Sequence, residues 1–343
     1  MSHLEIKSPG ALASIQDGGR RGWRRVGVPW AGALAPQLLR IANTLAGNAA
    51  LAPAIECFDG GQQFVARDGA VRLAVAGDAQ LEHLTAEGRQ PLAAWCSVTL
   101  AEGETLRVVH TGDGRLAVVA VFGLDCPPEL GSASTYGRAG LGGVDGRALQ
   151  AGDALPVAES PPAPALQLRA PPEAGGGPIR VVLGPQADHF TDEAIDAFLA
   201  TDYRITAEAD RMGVRLAGPA LAHRDAAARE IVSDATVPGA IQVPGNGQPI
   251  VLLADGQTAG GYPKIATVIG ADLARLADRK PGQTVRFAAV SVAEAERLAR
   301  AAEQAVTDAL RRIAPAGGEG FIDLDALYTC NLLSGVIDGR EDD

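Results

Sequence analysis

The sequence predicts a mainly β protein with a few helices (α+β), built as two β-rich units in tandem. Three observations carry that prediction. Short, β-branched apolar runs bounded by Gly or Asp recur along the chain. The 343 residues include 42 Gly and 22 Pro, a turn-rich usage, and only 4% aromatics, so the core must come from Val, Leu, Ile and Ala. A Pro- and Gly-rich stretch near the middle separates two units of similar style.

The N-terminal unit is expected over residues 1–160. Leu4-Glu5-Ile6-Lys7 alternates, and Val71–Ala76, Leu106–Val109 and Leu116–Phe122 are apolar strand-like runs. One helix interrupts them. Leu38, Leu39, Ala42, Leu45 and Ala46 recur at helical spacing, Pro36 stands near the start, and Gly47-Asn48 signals the C-cap. Residues 161–178 read as a connector, with Pro161, Pro162, Pro164, Pro171, Pro172 and Pro178 around Gly175-Gly176-Gly177.

The C-terminal unit is expected over 179–314. Its strand-like runs are Ile179–Leu183, Tyr203–Ala207, Arg215–Ala217, Ile231–Ser233, Ile241–Val243, Ile250–Ala254, Ile265–Ile269 and Val285–Val290. Thr191 reads as the N-cap of a short helix, with Asp192 and Glu193 in its first turn. Ser291 and Glu294 form a capping-box pattern that opens a long helix to about Ile313. The remaining tail, 315–343, carries Phe321, Ile322, Leu324 and Leu327 and is expected to dock on the body or on a partner.

A formal net charge of −11 argues against a nucleic-acid footprint. Arg20, Arg21, Arg24 and Arg25 form the one dense basic group, read either as a solvated loop or as an anion or partner contact. Cys57, Cys96, Cys126 and Cys330 form no CxxC pair, so reduced thiols and a cytoplasmic location are expected. No apolar run approaches the roughly 20 residues that cross a bilayer. His3, His83, His110, His189 and His223 lack metal-ligand spacing, so no metal is expected. There is no GxSxG elbow and no P-loop. Gly140–Gly146 only superficially resembles a dinucleotide loop, because Asp145 stands where the third Gly belongs.

What remains is a set of polar, Gly-rich clusters: Gln16–Arg20, Ser134–Gly143, Asp210–Gly213, Gln242-Val243-Pro244 and, above all, Asp255–Lys264. The last lies between two apolar runs. A plain hairpin needs only a tight turn there. A loop with Gln257, Thr258, Gly260, Gly261, Tyr262 and Lys264 instead suits ligand contact on a rigid scaffold.

These segments, IQDGGRRGWRRVGVP, STYGRAGLGGVDGRALQAGD, ADRMGVRLAG and IQVPGNGQPIVLLADGQTAGGYPKIATVI, resemble the allophanate hydrolase subunit 2 family, also called KipA-like or the biotin-dependent carboxyltransferase family. The likeness runs from about Ile6 to Phe287. It implies two cyclophilin-like β-barrel halves and a subunit that works beside a KipI-like subunit 1 and a LamB/YcsF-type subunit. It further implies ATP-dependent 5-oxoprolinase activity in the assembly, with ATP bound by the complex rather than by a P-loop here. Carboxyl transfer from carboxybiotin, as in urea carboxylase, is the alternative. It is disfavoured because this chain shows neither an ATP-grasp signature nor a Met-Lys-Met biotin-attachment pattern. A non-catalytic regulatory subunit of a KipI-like partner is the third reading. The chain departs from the family where Ala31 and Ala35 replace a usual Ser and Asp, Val214 a Tyr and Ala259 a Thr.

Under the leading reading, Arg211, Lys264 and Arg138 are expected to contact anionic groups. Gln242, Gln257, Thr258 and Tyr262 would orient a small amide or lactam, with Pro244, Gly260, Gly261, Thr135, Tyr136, Gly142 and Gly143 lining it. Asp255 and Asp210 are expected either as general bases or as ion-pair partners of Arg211 and Lys264.

Overall fold

The protein is described by a computed structural model that covers residues 2–160, 162–172 and 175–316. The expected tail therefore lies almost wholly outside the described residues. Among these, the helices are α1 (Pro36–Ala46), α2 (Asp192–Ala200), α3 (Gly270–Ala277) and α4 (Val292–Arg311), and the rest is dominated by strands. No helix is long and apolar enough to cross a membrane.

In the N-terminal half, two sheets enclose one core. Leu4, Ile6, Phe64, Ala66, Leu81, Leu106 and Val108 of one sheet meet Ala13, Ile15, Ile55, Leu73, Val75, Ala117 and Val119 of the other. The strand Leu116–Val121 has no polar residue because both of its faces are buried. Ala117, Val119 and Val121 point into this core, while Val118 and Ala120 pack under α1. The apolar stripe of α1, Leu39, Ile41, Ala42, Leu45 and Ala46, covers that outer face, and Gly47 ends the helix at φ 96°.

The C-terminal half is one eight-stranded sheet that nearly closes on itself. Its two edge strands, Thr284–Val285 and Phe287–Ala289, are consecutive pieces of one run. The first pairs with Tyr203–Ala209 and the second, in parallel, with Ile179–Leu183. The run expected as a single strand is thus split at Arg286, and the split is what lets one segment join both edges. Tyr203, Phe198, Phe287, Ile241, Val251 and Ile265 fill the interior.

Three further expectations need correction. Ile231–Ser233 is not a strand: Val232 is 93% exposed, and the paired segment is Asp234–Ala235, against Ala259–Gly260. Helix α3 carries no side-chain cap, so no local start signal marks it; it is held by buried Asp272, which accepts from Arg180 and pairs with Arg275. The connector is not a free spacer. Buried Arg72 donates to the carbonyls of Ala163 (3.1 Å) and Pro164 (3.0 Å), and Leu166–Gln167 pairs with both Cys96 and Ala314–Pro315. Proline lacks an N–H but keeps its carbonyl, so a Pro-rich strap suits an arginine clamp.

The caps behave as the sequence predicts. Thr191 Oγ1 accepts from Ala194 N at 3.1 Å and Ser291 Oγ from Glu294 N at 3.2 Å. Thr191→Ala should cost about 1 kcal/mol in denaturant unfolding and leave the connector protected. Arg72→Met should instead release the connector, seen as new proteolytic cleavage between residues 156 and 172.

Candidate functional site

The two halves share a core at their seam. Leu34, Ala35, Phe58 and Leu116 from the first half pack in one cluster with Val214, Ile241, Leu253 and Ile265 from the second. At its polar centre lies Arg211, 7% exposed. Its Nε and Nη2 donate to the carboxylate of Asp255 at 3.1 and 2.9 Å, Nη1 bonds Glu56, and Nη2 also donates to Gly32 O at 2.6 Å. Every guanidinium nitrogen is thereby engaged with its own chain rather than offered to a ligand anion.

The turn before it explains the placement. Asp210 Oδ1 accepts from Met212 N (2.8 Å) and Gly213 N (3.2 Å), folding the chain so that Arg211 turns inward. Asp210 itself is exposed, and its geometry is that of a turn former. Glu56 was not anticipated, although the sequence carried a signal: it is the one charged residue in the fully buried strand Ala54–Phe58. Burial pushes the carboxyl groups of Glu56 and Asp255 upward, and Arg211 opposes that rise. For Arg211, burial works against the charge, but the two carboxylates more than offset it and hold its pKa above the usual value.

The same seam explains Ala31–Ala35. Ala31 N donates to Ala254 O across the seam, and Leu34 N donates to Glu56 at 2.7 Å. Ala35, where the resemblance expects Asp, is the N-cap of α1 and makes no side-chain cap bond. The missing carboxylate is thus a missing helix cap in this fold.

The N-terminal Gly-rich clusters form a second network. Arg20 is fully buried and donates to the carbonyls of Glu129, Ser132 and Ser134. Asp17 accepts from both of those serine hydroxyls and from Ala133 N. Gly142 is needed at φ 67°, because a Cβ there would lie 2.2 Å from Ser134 O. A Cβ on Gly143 would meet Thr135 Oγ1. These glycines make room for the protein's own chain. Tyr136 N closes a turn on Leu141 O, and Arg138 is exposed.

The Asp255–Lys264 loop is built differently. Gln242 and Lys264 face each other on neighbouring strands because the register skips Ile265, a one-residue bulge. Ile265 enters the core, and Lys264, 3% exposed, sits beside the two glutamines. Gln257 Nε2 donates to Gln242 Oε1 at 2.8 Å, leaving buried Gln242 Nε2 without a partner. Lys264 Nζ reaches Asp234 Oδ2 at 2.8 Å, and its backbone N–H donates to Gln186 Oε1. Thr236 binds Gln257 O through its hydroxyl and Thr258 O through its N–H; Arg24, reaching over from the N-terminal half, donates to Thr236 O at 2.5 Å. Gly261 O accepts from Ile231 N, Pro244 caps a turn to Gly247, and Tyr262 is exposed at the rim. Of the basic group, Arg21 and Arg24 lie over Trp30 at 4.4 and 5.2 Å, so it is mostly scaffold and seam.

The expected residues therefore fall into separate sets. Gln242, Gln257, Thr258, Gly260, Gly261 and Lys264 are gathered at one end of the C-terminal sheet. Arg211 and Asp255 form the seam beneath the start of that loop, and Thr135, Tyr136, Gly142 and Gly143 belong to the Arg20 network. Lys264 pairs with neither Asp255 nor Asp210 but with Asp234, which no sequence signal marked. Among the described residues, no His, Cys, Asp and Glu group could hold a metal.

The seam makes a pH prediction. Arg211→Met should destabilise by about 3–5 kcal/mol near neutral pH, because it strands two buried carboxylates. Their folded pKa values would then stand well above the unfolded range near 4. Stability would be greatest below that range and lost as pH rises, so the variant should recover much of its melting temperature at pH 5 relative to pH 8.

The family described as "Carboxyltransferase domain, subdomain A and B" matches residues 26–289. The chain is 39% identical over 298 residues to the C-type 5-oxoprolinase subunit of Escherichia coli K12, covering 85% of this chain and 93% of that one. It is 37% identical over 317 residues to the C-type 5-oxoprolinase subunit of Haemophilus influenzae, covering 90% and 97%. Among solved structures, Kluyveromyces lactis urea carboxylase superposes with a TM-score of 0.80 at 26% identity, covering 94% of this chain and 30% of that one. Taken with the nearly closed C-terminal sheet and the bulged Gln242–Lys264 pair, these matches establish that the chain belongs to the carboxyltransferase subdomain A and B family.

Proposed function

We propose that this chain is a subunit of an ATP-dependent 5-oxoprolinase, which opens the lactam of 5-oxoproline to glutamate, and that its ligand site is the Gln242–Gln257–Lys264 cluster. The observation that carries this reading is a buried lysine placed across a bulged strand pair from an amide with an unpartnered N–H. A cation and a neutral donor suit a substrate with one carboxylate and one amide carbonyl. The similarity to the Escherichia coli and Haemophilus influenzae subunits supports the substrate.

Lactam opening needs the amide carbonyl activated, since the ring amide is a poor electrophile. Phosphorylation of its oxygen by ATP would supply that activation. The groups here do not fit ATP: the chain has no P-loop, and the Gly142-Gly143 turn is filled by Ser134 and Thr135. We therefore place ATP on a KipI-like or LamB/YcsF-type partner in the cytoplasm. This chain would bind the carboxylate through Lys264, orient the ring with Gln242, Gln257 and Thr258, and exclude water. Donors fixed by strand pairing gain strength where the developing oxyanion is shielded from solvent. The second reading, carboxyl transfer from carboxybiotin, is favoured by the family description and the urea carboxylase likeness. There the same amides would hold a ureido ring.

The test is ATP-dependent glutamate release from 5-oxoproline by the assembled subunits, with and without this chain. The reading requires release only when the chain is present. Lys264→Met should lower kcat/KM for 5-oxoproline by roughly 10- to 100-fold without dissolving the assembly, the loss expected for one charge-assisted hydrogen bond. No release from verified assemblies, with carboxyl transfer observed instead, would favour the second reading.

A further inference from the structure

Asp234 is unlike the other groups around Lys264. It lies outside the barrel sheet, on a two-stranded ribbon formed by Asp234–Ala235 and Ala259–Gly260. Its side chain is 52% exposed, yet it supplies the carboxylate for a lysine whose side chain is only 4% exposed. The ribbon also covers Gln242. A Cβ at Gly260 would lie 2.5 Å from Gln242 Nε2, so only glycine allows the ribbon to close over this unpartnered donor. The ribbon is apolar on its outside, where Val232 is 93%, Val237 45% and Tyr262 42% exposed.

Resting on the proposed oxoprolinase site, we infer that Asp234 is an internal substitute for a ligand carboxylate, and that the ribbon is a lid which yields Lys264 and Gln242 together. The ligand class follows from the pair. Lys264 Nζ takes a carboxylate, and Gln242 Nε2, its neighbour across the bulge, takes a carbonyl oxygen. A small cyclic amide bearing a carboxylate offers both. A neutral urea offers only the carbonyl and cannot displace Asp234. When the ligand carboxylate takes over Lys264, Asp234 is released to solvent, which its exposure makes cheap, and Gly260 moves off Gln242. The closed ribbon lowers apparent affinity by the fraction of molecules whose lysine is free.

The experiment titrates the full chain in its reconstituted assembly with 5-oxoproline and with its neutral carboxamide, following heat of binding and hydrogen exchange. Asp234→Asn should tighten 5-oxoproline binding about 10-fold and leave the carboxamide unchanged, by removing the competitor. Lys264→Met should abolish the preference for the acid. In the unmodified chain, 5-oxoproline should speed exchange of residues 233–237, and Asp234→Asn should do so without ligand. Equal affinity of Asp234→Asn and the unmodified chain for the acid, an equal gain for acid and carboxamide, or no binding by any form would overturn the inference. Glutamate release that persists while Asp234→Asn changes nothing removes the lid alone. A carboxylate preference that responds to Asp234 without any glutamate release keeps the lid and removes the oxoprolinase reading.

Discussion

One guanidinium ties this structure together. Arg211 belongs to the C-terminal barrel, yet it bonds Glu56 and the Gly32 carbonyl of the N-terminal half as well as Asp255 of its own. A buried ion group of this kind is weak evidence for net stability, because desolvation offsets most of the attraction. Its value here is geometric. The cation is satisfied only when the seam is closed in one register, so it fixes the Trp30–Ala35 segment, the Asp210–Gly213 turn and the start of the ligand loop relative to one another. That loop is anchored at both ends by ions: Asp255 by the rigid seam and Lys264 by an exposed aspartate on a narrow ribbon. One end is built to stay and the other to exchange partners.

The Gly-rich clusters look alike in sequence but do two different jobs. Around Arg20, glycine lets carbonyls and hydroxyls of the same chain approach closely, and the result is a filled, cross-linked scaffold. At Gly260, glycine lets a ribbon lie against a donor that has no partner within the protein. A filled network carries structure, whereas an unpartnered buried donor beside a buried cation is an opening for a ligand.

Much of this was legible in the residues. The helix α1 was readable from its stripe, Pro36 and Gly47, and α2 and α4 from Thr191 and Ser291, because caps and periodicity are local signals. The loop that ends at Lys264 was readable because it carries more polar and special-backbone residues than a turn needs. What could not be read depends on distant partners. Arg211 looks like a ligand contact until Glu56, 155 residues away, is seen to hold it. Asp234 has no local mark at all, since only the ribbon brings it to Lys264, 30 residues on. The bulge at Ile265 is likewise invisible in an apolar run, because register is set by the neighbouring strand. Helix α3 escapes notice for want of a cap, and the connector because an arginine clamp on proline carbonyls leaves no periodic pattern.

The most direct test of the account is a structure of the assembled protein with 5-oxoproline bound. The account predicts the ligand carboxylate on Lys264 Nζ, its lactam oxygen on Gln242 Nε2, Asp234 turned to solvent, and the Arg211 group unchanged. A ligand held by Arg211 or by the Arg20 network, with the Lys264–Asp234 pair intact, would contradict it.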